Sequence, residues 1–333
     1  EVVLPPQGSG SVCDLQVSSG DAEIWLRSLL FGDVWLCSGE ANMGMTMEQI
    51  FNGTEEMEAS AGYDQIRYSV VAEGSADREQ EEVELVLPWS RPNDTASLAR
   101  MSAICFLFAR YVHDQTNQPL GLVVSAVGNS TIEAWSTTES LDSCGVQEDK
   151  DNSVLWNAMI APLKRLAISG FLWYQGESNV EHNTDKYNCT FPGLVSSWRR
   201  EFATPSPAVH PTIQFATPSP AIHPTIQFAT PSSHPLAPFG FVQLSTGRYN
   251  STSLAFPRLR RHQTQDEDFV PSEAMEGVFM AVAVDTYDEE GGLLPRYKQV
   301  VARRLGAVAM RVAYGNQQFP LQGPVLQVTH CPS

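Results

Sequence analysis

No apolar run in this chain of 333 residues approaches the roughly 20 needed for a membrane-crossing helix. The longest, such as Phe279–Val284, are strand-sized. Positive charge is scarce as well: 21 Lys and Arg against 38 Asp and Glu leave a formal charge of −17. The basic runs Arg258–Arg261, Arg199–Arg200 and Arg303–Arg304 are too short to offset a field that repels a phosphate backbone. Nucleic acid and membrane are therefore excluded as expected partners. An anionic small substrate stays open, because one well-placed Arg can hold a carboxylate. The six cysteines show no C-x-x-C spacing, which argues against zinc, and no metal or other cofactor is expected. Their even number permits disulfides without fixing a pairing, and Cys37 and Cys105, in apolar runs, read equally well as buried free thiols.

The chain does contain five N-x-S/T sequons, at Asn52, Asn93, Asn129, Asn188 and Asn250. With the acidic balance and the even cysteine count they predict the secretory pathway, lysosomal or extracellular. No signal peptide opens the sequence, so the expectation is a mature or truncated form. Hydrophobic residues at 42% and charged residues at 18% are ordinary for a globular chain, long enough for one large domain or two smaller ones.

Short apolar strands alternate with helical patterns from Gly32 onward. Val34–Cys37, Leu120–Ser125, Gly170–Tyr174, Phe241–Leu244 and Phe279–Val284 read as strands. Met43–Phe51, Thr95–Gln115, Val154–Leu166 and Pro295–Tyr314 read as helices. That alternation predicts a mostly parallel sheet with helices on both faces. Ligands of such sheets bind outside the carboxyl ends of the strands, so Ser38–Met43, Gly128–Trp135 and Gln175–Asn179 should converge on one crevice. Residues 202–214 recur with a single change, Val209 to Ile222, as residues 215–227. So many prolines favour an extended, disordered surface insertion over 202–238, and His210, His223 and His234 simply travel with the repeat.

Phe31-Gly-Asp-Val-Trp-Leu-Cys-Ser-Gly-Glu-Ala-Asn-Met43 closely resembles the nucleophile block of the sialate O-acetylesterase family of SGNH hydrolases, FGDVWLCSGQSNM. Ile132–Trp135, Ser153–Ile160, Trp173–Asn179 and Tyr187–Pro192 agree with the same family. The resemblance implies an SGNH-type three-layer αβα core over residues 31–315. Residues 1–30 would be the remnant of an N-terminal β-rich module and 316–333 a truncated C-terminal tail. It also implies O-acetylated sialic acid or a sialoglycan as partner, with hydrolysis of its O-acetyl ester by a Ser nucleophile, a His base and an oxyanion hole.

Carried over by position, the nucleophile Ser falls on Ala41 and the Gln before it on Glu40. The base His falls on Leu294 and its Asp on Tyr297. What the resemblance leaves is a shell: Gly39, Asn42, Gly128 and Gln175 as oxyanion-hole candidates, and Glu133, Trp135, Glu177 and His262 as residues facing substrate. His182 and His262 are spare imidazoles. Glu133 and Glu177 could pass for a carboxylate pair, but hydrogen bonding within the shell is the expectation. The implied chain is a catalytically impaired esterase. The alternatives are a non-catalytic sialoglycan-binding pseudoenzyme or a decayed gene product, and a glycan on Asn129 would block the crevice.

Overall fold

The computed structural model describes residues 7–19, 22–203, 236–246 and 253–321. The central part of the predicted insertion (204–235, with its three histidines), Asn250 and Cys331 lie outside the described residues. The described strands are β1 (Val12–Ser19), β2 (Ala22–Leu30), β3 (Asp33–Gly39), β4 (Ile66–Val71), β5 (Leu85–Ser90), β6 (Leu120–Ala126), β7 (Gly170–Tyr174), β8 (Phe239–Gln243) and β9 (Val278–Val282). β1 and β2 form an antiparallel hairpin of their own. The other seven make one sheet in the order β5-β4-β6-β3-β7-β8-β9, parallel except for β5 at the edge.

Successive side chains of a strand point to opposite faces, so a strand covered on both sides needs buried side chains throughout. In β3, Trp35 and Cys37 point one way and Leu36 and Ser38 the other, all of them buried. On the first face Trp35 meets Phe108 edge-on, centroids 4.9 Å apart, and Cys37 is bonded to Cys105; both partners belong to the helix Ala103–Thr116. The closing helix, Lys298–Val312, packs beside that helix. On the second face Phe171 and Trp173 of β7 meet Trp198 of the helix Tyr187–Glu201. The sheet is thus the middle of three layers, as the strand–helix alternation predicts.

Of the two readings left open for Cys37 and Cys105, the disulfide is the one formed, and Cys144–Cys189 is a second. Several local expectations are corrected. The predicted helix Thr95–Gln115 is two, Thr95–Ala99 and Ala103–Thr116. Ser102 causes the break: its Oγ accepts from Cys105 N–H as a cap and donates to Met43 O at 2.6 Å. The predicted helix Met43–Phe51 reduces to the turns Ala41–Gly44 and Met47–Gln49. Between them the backbone bonds elsewhere, Ala103 N–H to Met45 O and Met47 N–H to Met101 O. Val154–Leu166 winds into a π turn, Trp156–Ile160, and a 3-10 turn, Ala161–Arg165, in which Pro162 has no N–H to continue an α-helix.

Candidate active site

β3, β6 and β7 end level with one another, because Gly39 is in register with Ala126 on one side and Tyr174 on the other. The three polar loops therefore leave the sheet side by side, as the strand order requires. Gly39 has φ +140°, and a Cβ on it would stand 2.2 Å from Tyr174 O, so glycine is required where the chain turns. Glu40 N–H then donates to Tyr174 O, and Val127 N–H to Gly39 O.

A cavity of about 440 Å³ opens above these strand ends. Ala41 and Leu294 both line it, with Gly128, Arg296, Glu73 and Gln49. Gly128 lies directly against Ala41: a Cβ on it would be 3.6 Å from the Ala41 methyl. Arg296 is held on the wall by a bidentate pair with Asp288 and by Glu290, and its guanidinium stacks 4.1 Å over Phe51. The same pairing keeps the Asp288 carboxyl at about 2, below the usual carboxylate range.

Beneath the cavity runs a buried polar network. Asn42 Nδ2 donates to Glu177 and to Leu293 O, while its Oδ1 accepts from Lys298 Nζ. Lys298 is buried, also donates to Pro295 O, and lies 5.1 Å over the Tyr174 ring. Desolvation draws its ammonium down to about 7 against the pull of Glu177 and Asp288. Burial, reinforced by the neighbouring charge of Glu40, pushes the Glu177 carboxyl up to about 8. Glu40 itself accepts from Ser178 Oγ and from the backbone N–H groups of Gly176 and Ser178, which ties the β3 loop to the β7 loop.

The remaining predicted residues are drawn together in a second cross-link. Gln175 is fully buried; its Nε2 donates to Ser130 O (3.0 Å) and Asn179 Oδ1 (2.8 Å), and its Oε1 accepts from Tyr187. Asn179 Nδ2 donates to Glu133, which also accepts from Asn183. Trp135 is buried, with Nε1 on Ser130 Oγ and its ring edge-on to Trp173, under the loops rather than on the cavity wall. Glu133 and Glu177 thus sit in separate networks. His262 does not line the cavity; its Nδ1 meets Asp266 at 2.7 Å, and Asp266 also takes the Asn188 amide. His182 is exposed and pairs with Asn183.

Residues 32–227, more than half of the chain, match the family described as "Carbohydrate esterase, sialic acid-specific acetylesterase". The chain belongs to that family. The sialate O-acetylesterase of Homo sapiens is 40% identical over 97% of this chain and 62% of its own length. That of Mus musculus is 36% identical over 97% of this chain and 65% of its own length. A carbohydrate acetylesterase from Xanthomonas citri superposes with a TM-score of 0.75 at 26% identity, covering 94% of this chain and 63% of that one. The chain thus spans under two thirds of the length of these relatives.

Within this esterase fold, two disulfides are the signature of a chain that matures in an oxidising compartment. No helix among the described residues is long and apolar enough to cross a membrane. Of the sequons, Asn52, Asn93 and Asn129 are exposed, whereas Asn188 is half-buried in a helix. Lys298, Arg296 and Glu73 were not singled out from sequence as site residues. Lys298 and Arg296 flank Tyr297 in the segment that resembles the family's base block, so that block was the available signal for both. Glu73 stands on no motif and reaches the cavity only through tertiary structure.

Proposed function

We propose that this chain keeps the pocket of a sialate O-acetylesterase and has lost the means to hydrolyse the ester. The observation that carries the reading is the cavity shared by Ala41 and Leu294, the positions that resemble the family's nucleophile and base. Acyl transfer needs an atom to attack the acetyl carbonyl and a group to take its proton. Alanine offers no nucleophile and leucine no lone pair. In this reading Gly128 is the part of the oxyanion shell that faces the substrate. Asn42 and Gln175 hold the loops from behind, because the amide nitrogen of each is already donating to two acceptors. The partner is O-acetylated sialic acid at the end of a glycan, met in the lysosome or outside the cell.

Asn129 belongs to the same reading. It is exposed in a left-handed turn (φ 57°) immediately after Gly128, so a glycan there would stand over the cavity mouth.

The test is acetate release from O-acetylated sialic acid by the parent chain and by an Ala41→Ser, Leu294→His double variant. The parent should match background. The double variant should gain roughly 10²-fold, the gap between losing a Ser or His (about 10⁶) and losing only the orienting Asp (about 10⁴). That remaining deficit is assigned to Tyr297. A parent that turns over like an ordinary esterase, or a folded double variant that stays silent, overturns the reading.

A further inference from the structure

The amino ends of the same strands carry a second cavity, about 390 Å³, between the β1–β2 hairpin and the sheet. Strand register builds its floor. Gly121 of β6 pairs with Val34 of β3 on one side and with Arg67 of β4 on the other. Tyr68 pairs with Ser90 across antiparallel β4 and β5, which sets Arg67 opposite Arg91. Gly121 leaves the space into which the indole of Trp89 leans, its Cη2 3.5 Å from where a Cβ would stand. Half of Trp89 remains exposed, and Arg27 closes the rim from the hairpin.

Among the described residues, three guanidiniums and no carboxylate line this cavity, in a chain whose net charge is −17. Arg27 already shares its charge with Asp14 at 3.1 Å. Arg67 spends Nη1 on the backbone carbonyls of Asp64 and Ile66. Burial and then repulsion from Arg91 lower the Arg67 pKa, against the smaller opposing pull of Asp64, so the two cations still crowd each other. An anion between them relieves that repulsion, and a carboxylate matches the guanidinium fork.

We propose that this cavity binds a carboxylate-bearing sugar, its carboxylate between Arg67 and Arg91 and an apolar face of its ring on Trp89. An inorganic anion would use the guanidiniums and leave the indole and the apolar wall of Leu29, Leu30 and Leu120 idle. A neutral sugar would use the indole and leave the two cations unrelieved. The site lies roughly 20 Å from the cavity of Ala41, the length of β3 at about 3.3 Å per residue. The anion site stands on these residues alone; only the choice of a sugar as the ring rests on the proposed function.

Calorimetric titration of the intact chain with N-acetylneuraminic acid, which has no O-acetyl ester, tests it. Saturable binding is expected, about tenfold weaker in Arg91→Gln and in Trp89→Ala, and unchanged in Ala41→Phe, which fills the other cavity. N-acetylmannosamine and phosphate should each bind at least about tenfold more weakly than the sugar acid. Arg91 is exposed, so Arg91→Gln decides the matter if Trp89→Ala unfolds. Loss of binding in Ala41→Phe with none in Arg91→Gln would put the sugar in the other cavity and overturn the proposal. Phosphate binding as tight as the sugar acid, or no binding by the folded parent, overturns it too. Arg91→Gln added to the Ala41→Ser, Leu294→His chain should leave acetate release unchanged, so failure here does not touch the proposed function.

Discussion

Glu177 and Lys298 are the two residues whose burial costs most under the cavity, and their titrations have opposite signs. The Glu177 carboxyl is raised from 4.5 to about 8, so over that interval the folded chain holds more proton than the unfolded one. Its contribution to stability is complete at low pH and is lost as pH rises through about 8. Lys298 is lowered from 10.5 to about 7, so its contribution is present above 10.5 and lost as pH falls through about 7. Thermal melts should therefore show stability falling between pH 4.5 and 7, opposed slopes between 7 and 8, and a rise above 8. Glu177→Gln should flatten the acid-side fall and Lys298→Met the alkaline rise. An unchanged profile in either variant contradicts the assignment. Glu40→Gln, which removes the like charge, should lower the Glu177 pKa and, above pH 8, add about 1.4 kcal/mol of stability for each unit relieved, with a smaller gain near pH 7.

The identities at Ala41 and Leu294 were legible in the sequence because both stand inside recognisable blocks. The Glu177–Asn42–Lys298 network was not, since it joins three separated segments and only the folded sheet makes them neighbours.

Elements divide in the same way. β7 runs over Gly170–Tyr174, as its apolar run implies, because burial on both faces leaves an uninterrupted signal. The helix breaks were invisible, because non-local bonds cause them. Met45 and Met47 pair with Ala103 and Met101, and Ser102 caps one segment while bonding the loop that carries Ala41. β4 and β5 were missed for different reasons: Arg67 and Ser69 interrupt the apolar run of buried β4, and β5 is a largely exposed edge strand. The Cys37–Cys105 bond locks β3 to the helix above it across a separation of 68 residues. Replacing both cysteines by Ala should lower stability by about 2–4 kcal/mol in a denaturant melt. The loss belongs largely to the unfolded state, so the cavity should persist in the variant under native conditions. A cost near zero would contradict a native bond at that position.

At the scale of the whole molecule the two ends of one sheet carry cavities of different charge. The carboxyl end holds the esterase-like cavity, with Arg296 already neutralised by Asp288 and Glu290. The amino end holds the arginine-lined cavity beside an isolated hairpin, whose Val12, Ile24 and Trp25 are exposed. A two-stranded hairpin has little stability of its own, so its packing on the amino end of the sheet matters. In the proposed reading, a glycan on Asn129 acts at the carboxyl end. Asn129→Gln, or enzymatic deglycosylation, should remove mass from the secreted chain and tighten binding of O-acetylated sialic acid. A parent that binds equally well with its glycan intact contradicts the placement of that glycan over the mouth.

The proposed function is a retained pocket without chemistry. It is tested most directly by following O-acetylated sialic acid by NMR in the presence of the deglycosylated parent chain. With Arg91→Gln removing the amino-end site, the expected result is saturable broadening of the ligand that is relieved by filling the cavity with Ala41→Phe, while the ester methyl signal persists and free acetate does not grow beyond background. Acetate accumulating at an ordinary enzymatic rate would contradict it, and so would a ligand that never responds to the folded chain.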